Sequence, residues 1–144
     1  MILLLKVRIK NKGGYIMKDK LLKLLENSYS PYSKFRVAAI AVMKDGKEFC
    51  GVNVENASYG VANCAERSAV FAAYSEGYRK ENIEALAIVS DGNRIAAPCG
   101  ICRQVLSELL EGDTPIYLSN GKDNVDSNMN ELLPFQFSGE DLDK

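Results

Sequence analysis

With 144 residues, 47% of them apolar and 26% charged, the chain has the size and composition of one globular domain with a core of its own. Its 18 Lys plus Arg against 19 Asp plus Glu leave a net charge of −1, which disfavours a surface built to hold a nucleic-acid backbone. The complete lack of histidine excludes Ser-His-Asp triads, Cys-His dyads and His-ligated metals, and leaves proton transfer to a carboxylate, Lys, Tyr or Cys.

The apolar start, Met1-Ile2-Leu3-Leu4-Leu5, is broken at Lys6 and Arg8. That run is too short for a membrane span or a signal peptide, so the expectation is a cytoplasmic protein with no membrane partner. Lys10-Asn11-Lys12-Gly13-Gly14 reads as a flexible linker. Residues 1–16 are therefore read as a non-essential extension, and residues 17–144 as a single domain. From Met17, Leu21, Leu22, Leu24 and Leu25 fall in helical spacing and predict a helix over residues 18–27, stopped before Ser30-Pro31. Strands follow over 35–43 and 48–54, joined by Lys44-Asp45-Gly46-Lys47, a hairpin signal. Residues 65–76 carry small residues at helical spacing, and 85–89 form a short, continuously apolar buried strand. A helix over 100–110, a strand over 116–118 and a short helix over 129–133 complete the order. Two strands and then strand and helix in alternation imply an α/β fold, one sheet with helices packed on it.

Two segments carry chemistry. Asn63-Cys64-Ala65-Glu66-Arg67 and Pro98-Cys99-Gly100-Ile101-Cys102-Arg103-Gln104 both lie where a loop enters a predicted helix, and thiols there feel the positive end of the helix dipole. In a reducing compartment, clustered cysteines more often bind metal or react than form disulfides. Cys99 and Cys102 have the C-x-x-C spacing that grips one metal, and Cys64 supplies a third sulfur. Three ligands leave a fourth tetrahedral position for water, whose pKa a zinc ion lowers toward neutrality. Glu66, two residues past Cys64, is placed to shuttle protons. Arg67 can withdraw part of the excess charge of three thiolates on a dication, and Arg103 either assists or is a surface charge. A closed structural site with Cys50 as fourth ligand is the competing arrangement. The spacing opposes it, and Cys50 reads better as a small buried hydrophobe.

Cys64-Ala65-Glu66 followed by Pro98-Cys99-Gly100-Ile101-Cys102 matches the zinc-deaminase signature in its all-cysteine form. The chain strongly resembles the small, homotetrameric, zinc-dependent cytidine deaminases over about residues 17–142. Pro31-Tyr32-Ser33-Lys34-Phe35-Arg36-Val37, Asn53-Val54-Glu55-Asn56-Ala57-Ser58-Tyr59-Gly60, Glu131-Leu132-Leu133-Pro134 and Phe137-Ser138 carry the likeness beyond the metal motifs. The resemblance implies a three-layer α/β/α sandwich with a five-stranded mixed sheet and one zinc ion per chain on Cys64, Cys99 and Cys102. It implies hydrolytic deamination of cytidine and deoxycytidine in pyrimidine salvage, with zinc-bound hydroxide attacking C4 and Glu66 as proton shuttle. Asn53 and Glu55 would bind the ribose hydroxyls within a nucleoside-binding loop that includes Asn56. Phe35 would pack on the pyrimidine and the Ala65 N–H would meet the base O2. Ala57, Tyr59 and Phe137 would reach a neighbouring subunit's site. Phe35, Tyr59 and Phe137 read equally as packing residues, and Asn53 and Glu55 as solvent-facing ones. Ala38-Ala39, where many relatives begin with Gly, and Phe135-Gln136, where smaller residues are common, are departures that leave the chemistry untouched. Deaminases of other cytosine compounds, which should lack the Asn53-x-Glu55-Asn56 pattern, and a catalytically dead zinc scaffold, which an intact Glu66 opposes, are the alternatives.

Overall fold

Seven consecutive apolar residues, Val37–Met43, form strand β1 at the heart of the fold. In the computed structural model, which describes residues 18–143, this strand is covered by helices on both faces. Its apolarity is therefore continuous and lacks the alternation of a half-exposed strand. Ala38, Ile40 and Val42 pack with Leu21 and Leu25 on one side, and Ala39, Ala41 and Met43 pack with Ala65, Ala69, Ala73 and Leu106 on the other.

The elements run α1 (Lys18–Leu24, extended by a 3-10 turn to Asn27), β1, β2 (Glu48–Val52), α2 (Ala65–Ser75), β3 (Ile83–Ser90), α3 (Gly100–Leu109), β4 (Ile116–Ser119), β5 (Asn124–Ser127) and α4 (Met129–Leu132). The sheet order is β2-β1-β3-β4-β5. β1 is antiparallel to both neighbours, Ile40 lying opposite Cys50 and Ala87, whereas β3 and β4 are parallel, with Leu86 opposite Ile116. A parallel pair needs a crossover, and α3 supplies it. α1 covers one face of the sheet and α2, α3 and α4 pack on the other, giving the expected α/β/α sandwich on a mixed five-stranded sheet. The expected extension over residues 1–16 lies outside the described residues.

This topology gathers three separate chain segments at one end of the sheet. Because β1 opposes β2 and β3, its start lies beside the end of β2 and the end of β3: Ala38 faces Val52, and Val37 faces Ser90. The loops leaving β2 and β3 at that end lead directly into the N-termini of α2 and α3.

Element boundaries differ from the sequence expectation in informative places. β1 starts at Val37, not at residue 35, because Lys34 turns the chain with φ +60°. β2 stops at Val52, and Val54 keeps only isolated bridges to Tyr29 and Asn63. β5, with sequence NVDS, is an exposed edge strand whose polar residues give no periodic signal. Gly46, at φ +92°, closes the expected hairpin turn. Cys50 is exposed, contrary to the expectation of a buried hydrophobe, because the strand's alternation turns Phe49 and Gly51 inward and leaves Cys50 outside.

α2 sits close on the sheet because small residues face each other. A Cβ added to Gly51 would lie 2.4 Å from the Ala65 carbonyl oxygen and 2.5 Å from the Ala69 nitrogen, both backbone atoms that cannot swing aside. Gly51→Ala should therefore push α2 off β2 and destabilise the fold by about 1–3 kcal/mol. A urea unfolding curve checks this, and an unchanged midpoint would show that the two elements are not tightly apposed.

Candidate metal centre and active-site cavity

Cys64 and Cys99 are the N-cap residues of α2 and α3, and Cys102 lies in the first turn of α3. Neither N-cap side chain accepts a capping bond from the backbone of its own helix. The helix starts are instead held through backbone, Ser68 N donating to the Cys64 carbonyl at 3.1 Å and Arg103 N to the Cys99 carbonyl at 2.9 Å. The sulfurs are free to turn toward one another, and all three lie within 4.8 Å. The Cys64 and Cys99 sulfurs are 3.8 Å apart. That is far beyond a disulfide, which needs about 2.05 Å. It equals the roughly 3.8 Å expected between two sulfurs each about 2.3 Å from a tetrahedral zinc ion. Three thiols with this spacing, at the positive ends of two helices, fit zinc. Cys50 is not part of the group.

Arg67, one turn into α2, donates from Nη2 to the Cys64 sulfur at 3.4 Å. Its buried Nε has no partner among the described residues. The Cys64 thiol is pulled down to about 5, first by hydrogen bonding from Cys102 and then, against burial, by the bonds from Arg67 and Cys99. Cys102 moves the opposite way, because its own bond to Cys64 and its burial both favour the thiol form. Burial alone would lower Arg67, but hydrogen bonds to the Cys64 and Cys102 sulfurs outweigh it and hold the guanidinium charged. Glu66 is 5% exposed, and burial, followed by the nearby Cys64 charge, raises its carboxyl above the usual carboxylate range.

A cavity of about 170 Å³ opens onto these groups, with Phe35, Asn53, Glu55, Ala65 and Glu66 in its wall beside Cys64 and Cys99. A second cavity of about 350 Å³, lined by Tyr32, Asn56 and Tyr59 among others, shares Ser33 and Glu55 with the first. The structure thus brings most of the sequence-selected residues around one space. Ala57 is exposed and lines neither cavity. Phe137 is 58% exposed and lies by Gln104, which donates to its carbonyl at 3.0 Å.

Several of these side chains have structural partners that sequence reasoning did not foresee. The Asn53 Oδ1 accepts from Val37 N at 2.9 Å and from the Ser28 hydroxyl, and its Nδ2 donates to the Phe35 carbonyl at 2.8 Å. One N–H is left for a ligand. The Glu55 Oε1 accepts from Tyr32 N at 3.0 Å and Ser33 N at 3.1 Å, leaving Oε2 available. Hydrogen bonding from Ser33 lowers its carboxyl below the ordinary glutamate value. The Asn56 Oδ1 accepts from Ser58 N at 2.9 Å and shapes the loop. Arg103 neither assists the sulfurs nor lies free. Its Nε donates to the Pro98 carbonyl at 2.8 Å and its Nη1 to the Leu132 carbonyl at 2.7 Å, fastening the start of α3 to its loop and to α4. Of these, only the Asn56 bond, to a residue two positions along, has a short-range signal in the sequence, an Asn at a turn.

Residues 14–117 match the cytidine and deoxycytidylate deaminase zinc-binding region as a protein family. A cytidine deaminase of Halalkalibacterium halodurans is 50% identical over 118 residues, covering 81% of this chain and 88% of that protein. One from Sporosarcina psychrophila is 46% identical over 121 residues, covering 83% and 88%. The crystal structure of cytidine deaminase from Burkholderia pseudomallei superposes with a TM-score of 0.79 at 43% identity, over 83% of this chain and 94% of that one.

Replacing Cys64, Cys99 or Cys102 singly with Ala should lower bound zinc from about one per chain to well under half of that, whereas Cys50→Ser should leave it unchanged. Atomic absorption on the purified proteins checks this. Full zinc in the Cys99→Ala protein would remove that sulfur from the ligand set.

Proposed function

The chain belongs to the cytidine and deoxycytidylate deaminase zinc-binding family, and from that membership we propose that it hydrolyses cytidine and deoxycytidine to uridine and deoxyuridine with release of ammonia. The observation that carries this reading is a buried carboxyl group, Glu66, in the same cavity wall as two of the three clustered thiols. The setting is pyrimidine salvage in the cytoplasm. Among the described residues no helix is long and apolar enough to cross a membrane.

One zinc ion per chain on Cys64, Cys99 and Cys102 would supply Lewis acidity that brings the pKa of a water toward neutrality. Glu66 takes a proton from the attacking water on a carboxylate oxygen and passes it to N3 of the pyrimidine as oxygen adds to C4. A second proton travels through the same carboxylate to the exocyclic amine, the C4–N bond breaks and ammonia leaves. Burial suits Glu66 to this traffic, since it raises the carboxyl above the usual carboxylate range and so strengthens its hold on a proton it must take up and return. Arg67 draws charge from the Cys64 sulfur and so limits the loss of Lewis acidity that three thiolates would cause.

The remaining groups bind and orient the nucleoside. Phe35 packs on the base, and the Ala65 N–H, in the first turn of α2 where amides lack intrahelical acceptors, meets the base O2. The free Oε2 of Glu55 and the remaining N–H of Asn53 meet the ribose hydroxyls, and Asn56 shapes the loop that carries them. Ala57, Tyr59 and Phe137 serve a neighbouring subunit's site in a homotetramer. The strong exposure of Tyr59, Val61 and Ile101, which flank the cavity segments in sequence, supports a partner surface there. Residues 17–144 form the catalytic domain, and residues 1–16 are dispensable to it.

Glu66→Gln should fold, keep its zinc and lose turnover of cytidine by at least about 10²–10⁴-fold, as measured by ammonia release with product identification. Near-normal turnover in that variant would place the proton transfers elsewhere. Removing residues 1–16 should leave kcat/KM for cytidine within about two-fold and the elution volume of the assembly consistent with four chains. Loss of assembly would make those residues structural.

A further inference from the structure

Phe35 and the loop that carries Cys99 come from distant parts of the chain and meet at one end of the sheet. Arg36 and Asp91 tie them together. Asp91 Oδ1 accepts from Arg36 N at 2.9 Å, Oδ2 accepts from Arg36 Nε at 2.7 Å, and Asp91 N donates back to the Arg36 carbonyl at 3.2 Å. Three bonds therefore lock the residue after Phe35 to the residue before Gly92. Gly92 in turn lies against the Phe35 ring, for a Cβ placed there would be 3.0 Å from Phe35 Cε2. Phe35 lines both the cavity over the thiols and a cleft formed with Gly92, Asn93, Arg94, Ile95, Ala96 and Ala97. Phe35 thus borders both spaces, with Gly92 against its ring.

The backbone at Phe35 is held from outside. Lys34 precedes it at φ +60°, a conformation that non-glycine residues leave unless constrained. Ser33 Oγ accepts from Phe35 N at 3.0 Å, and Asn53 Nδ2 donates to its carbonyl at 2.8 Å, so the residue that follows β2 fixes one side. Asp91 fixes the other. We infer that Arg36 and Asp91 are positioning residues for substrate, setting the Phe35 ring at the depth from the thiol cluster that a pyrimidine requires. This rests on the proposed function, in which Phe35 packs on the base. Neither residue of the pair lines the thiol cavity, and both act through Phe35 and the loop that follows Asp91. With side chains 45% and 24% exposed, the ion pair adds little to global stability. Its loss should consequently be felt in substrate binding and leave folding and metal content alone.

The test uses the zinc-loaded full chain with cytidine as the probe. Arg36→Met removes the Nε donor and keeps the backbone bond to Asp91, and Asp91→Ala removes both acceptors. Each should raise KM by about 5–20-fold with kcat within about two-fold, the pattern of lost binding that is uniform through the reaction. Bound zinc and the thermal midpoint should stay as in the parent. Arg36→Lys, which keeps the charge, should recover part of the KM. In a Phe35→Ala background, Arg36→Met should add almost nothing, since both changes remove one effect. Unchanged KM in an active parent's variants, full additivity with Phe35→Ala, or a fall in kcat and zinc alongside KM would each overturn the inference while leaving the deaminase reading intact. A zinc-loaded parent that does not turn over cytidine would overturn both.

Discussion

Two helix N-termini converge at one end of the sheet, and the rest of the site depends on that meeting. α2 and α3 begin with cysteine at the N-cap, and the positive ends of their dipoles point at the same small volume. Three sulfurs in that volume would repel as thiolates. The helix dipoles and the Arg67 guanidinium offset part of that repulsion, and a bound cation would offset the rest. Three sulfurs within 4.8 Å of one another at two helix N-termini form a donor set that a divalent ion would neutralise, in keeping with the zinc-binding family that the chain matches.

The fold serves that convergence through size rather than through polar contacts. Ala39 and Ala41 of β1 and Gly51 of β2 lie under Ala65 and Ala69 of α2, so helix and sheet approach until backbone nearly meets backbone. This closeness brings the start of α2, with Cys64, Ala65 and Glu66, level with the strand ends. Polar side chains then trim the neighbouring loops. Asn53 binds the entrance of β1, Glu55 the turn at Tyr32 and Ser33, Asp91 the backbone of Arg36, and Arg103 the carbonyl of Pro98. Each of these uses one part of a functional group for structure, and Asn53 and Glu55 keep another part free for a ligand.

The grouping of Cys64, Cys99, Cys102 and Glu66 was legible in the sequence because much of it is local. Cys64 with Glu66, and Cys99 with Cys102, sit within single helical turns, so spacing alone set their relative placement. The apolar run at β1 and the Asp45-Gly46 hairpin were legible for the same reason. β5 was not, since Asn124, Val125, Asp126 and Ser127 form an exposed edge whose pairing with β4 is decided by chain proximity. The ties at Asn53, Asp91 and Arg103 were not legible either. They link chain segments through hydrogen bonds that carry no periodic trace: Arg103, expected either to assist the sulfurs or to be a surface charge, donates to the Pro98 and Leu132 carbonyls. Cys50 was misjudged because residue type outweighed position: cysteine is commonly buried, yet the alternation of β2 set by Phe49 and Gly51 turns it outward.

Three sulfurs would hold one zinc ion and leave its fourth position to a lighter atom. X-ray absorption at the zinc edge on the purified protein reads that coordination shell. The spectrum should fit three sulfurs at about 2.3 Å and one oxygen or nitrogen at about 2.0 Å, with one zinc per chain. A shell of four sulfurs, or a preparation that binds no zinc, would contradict it.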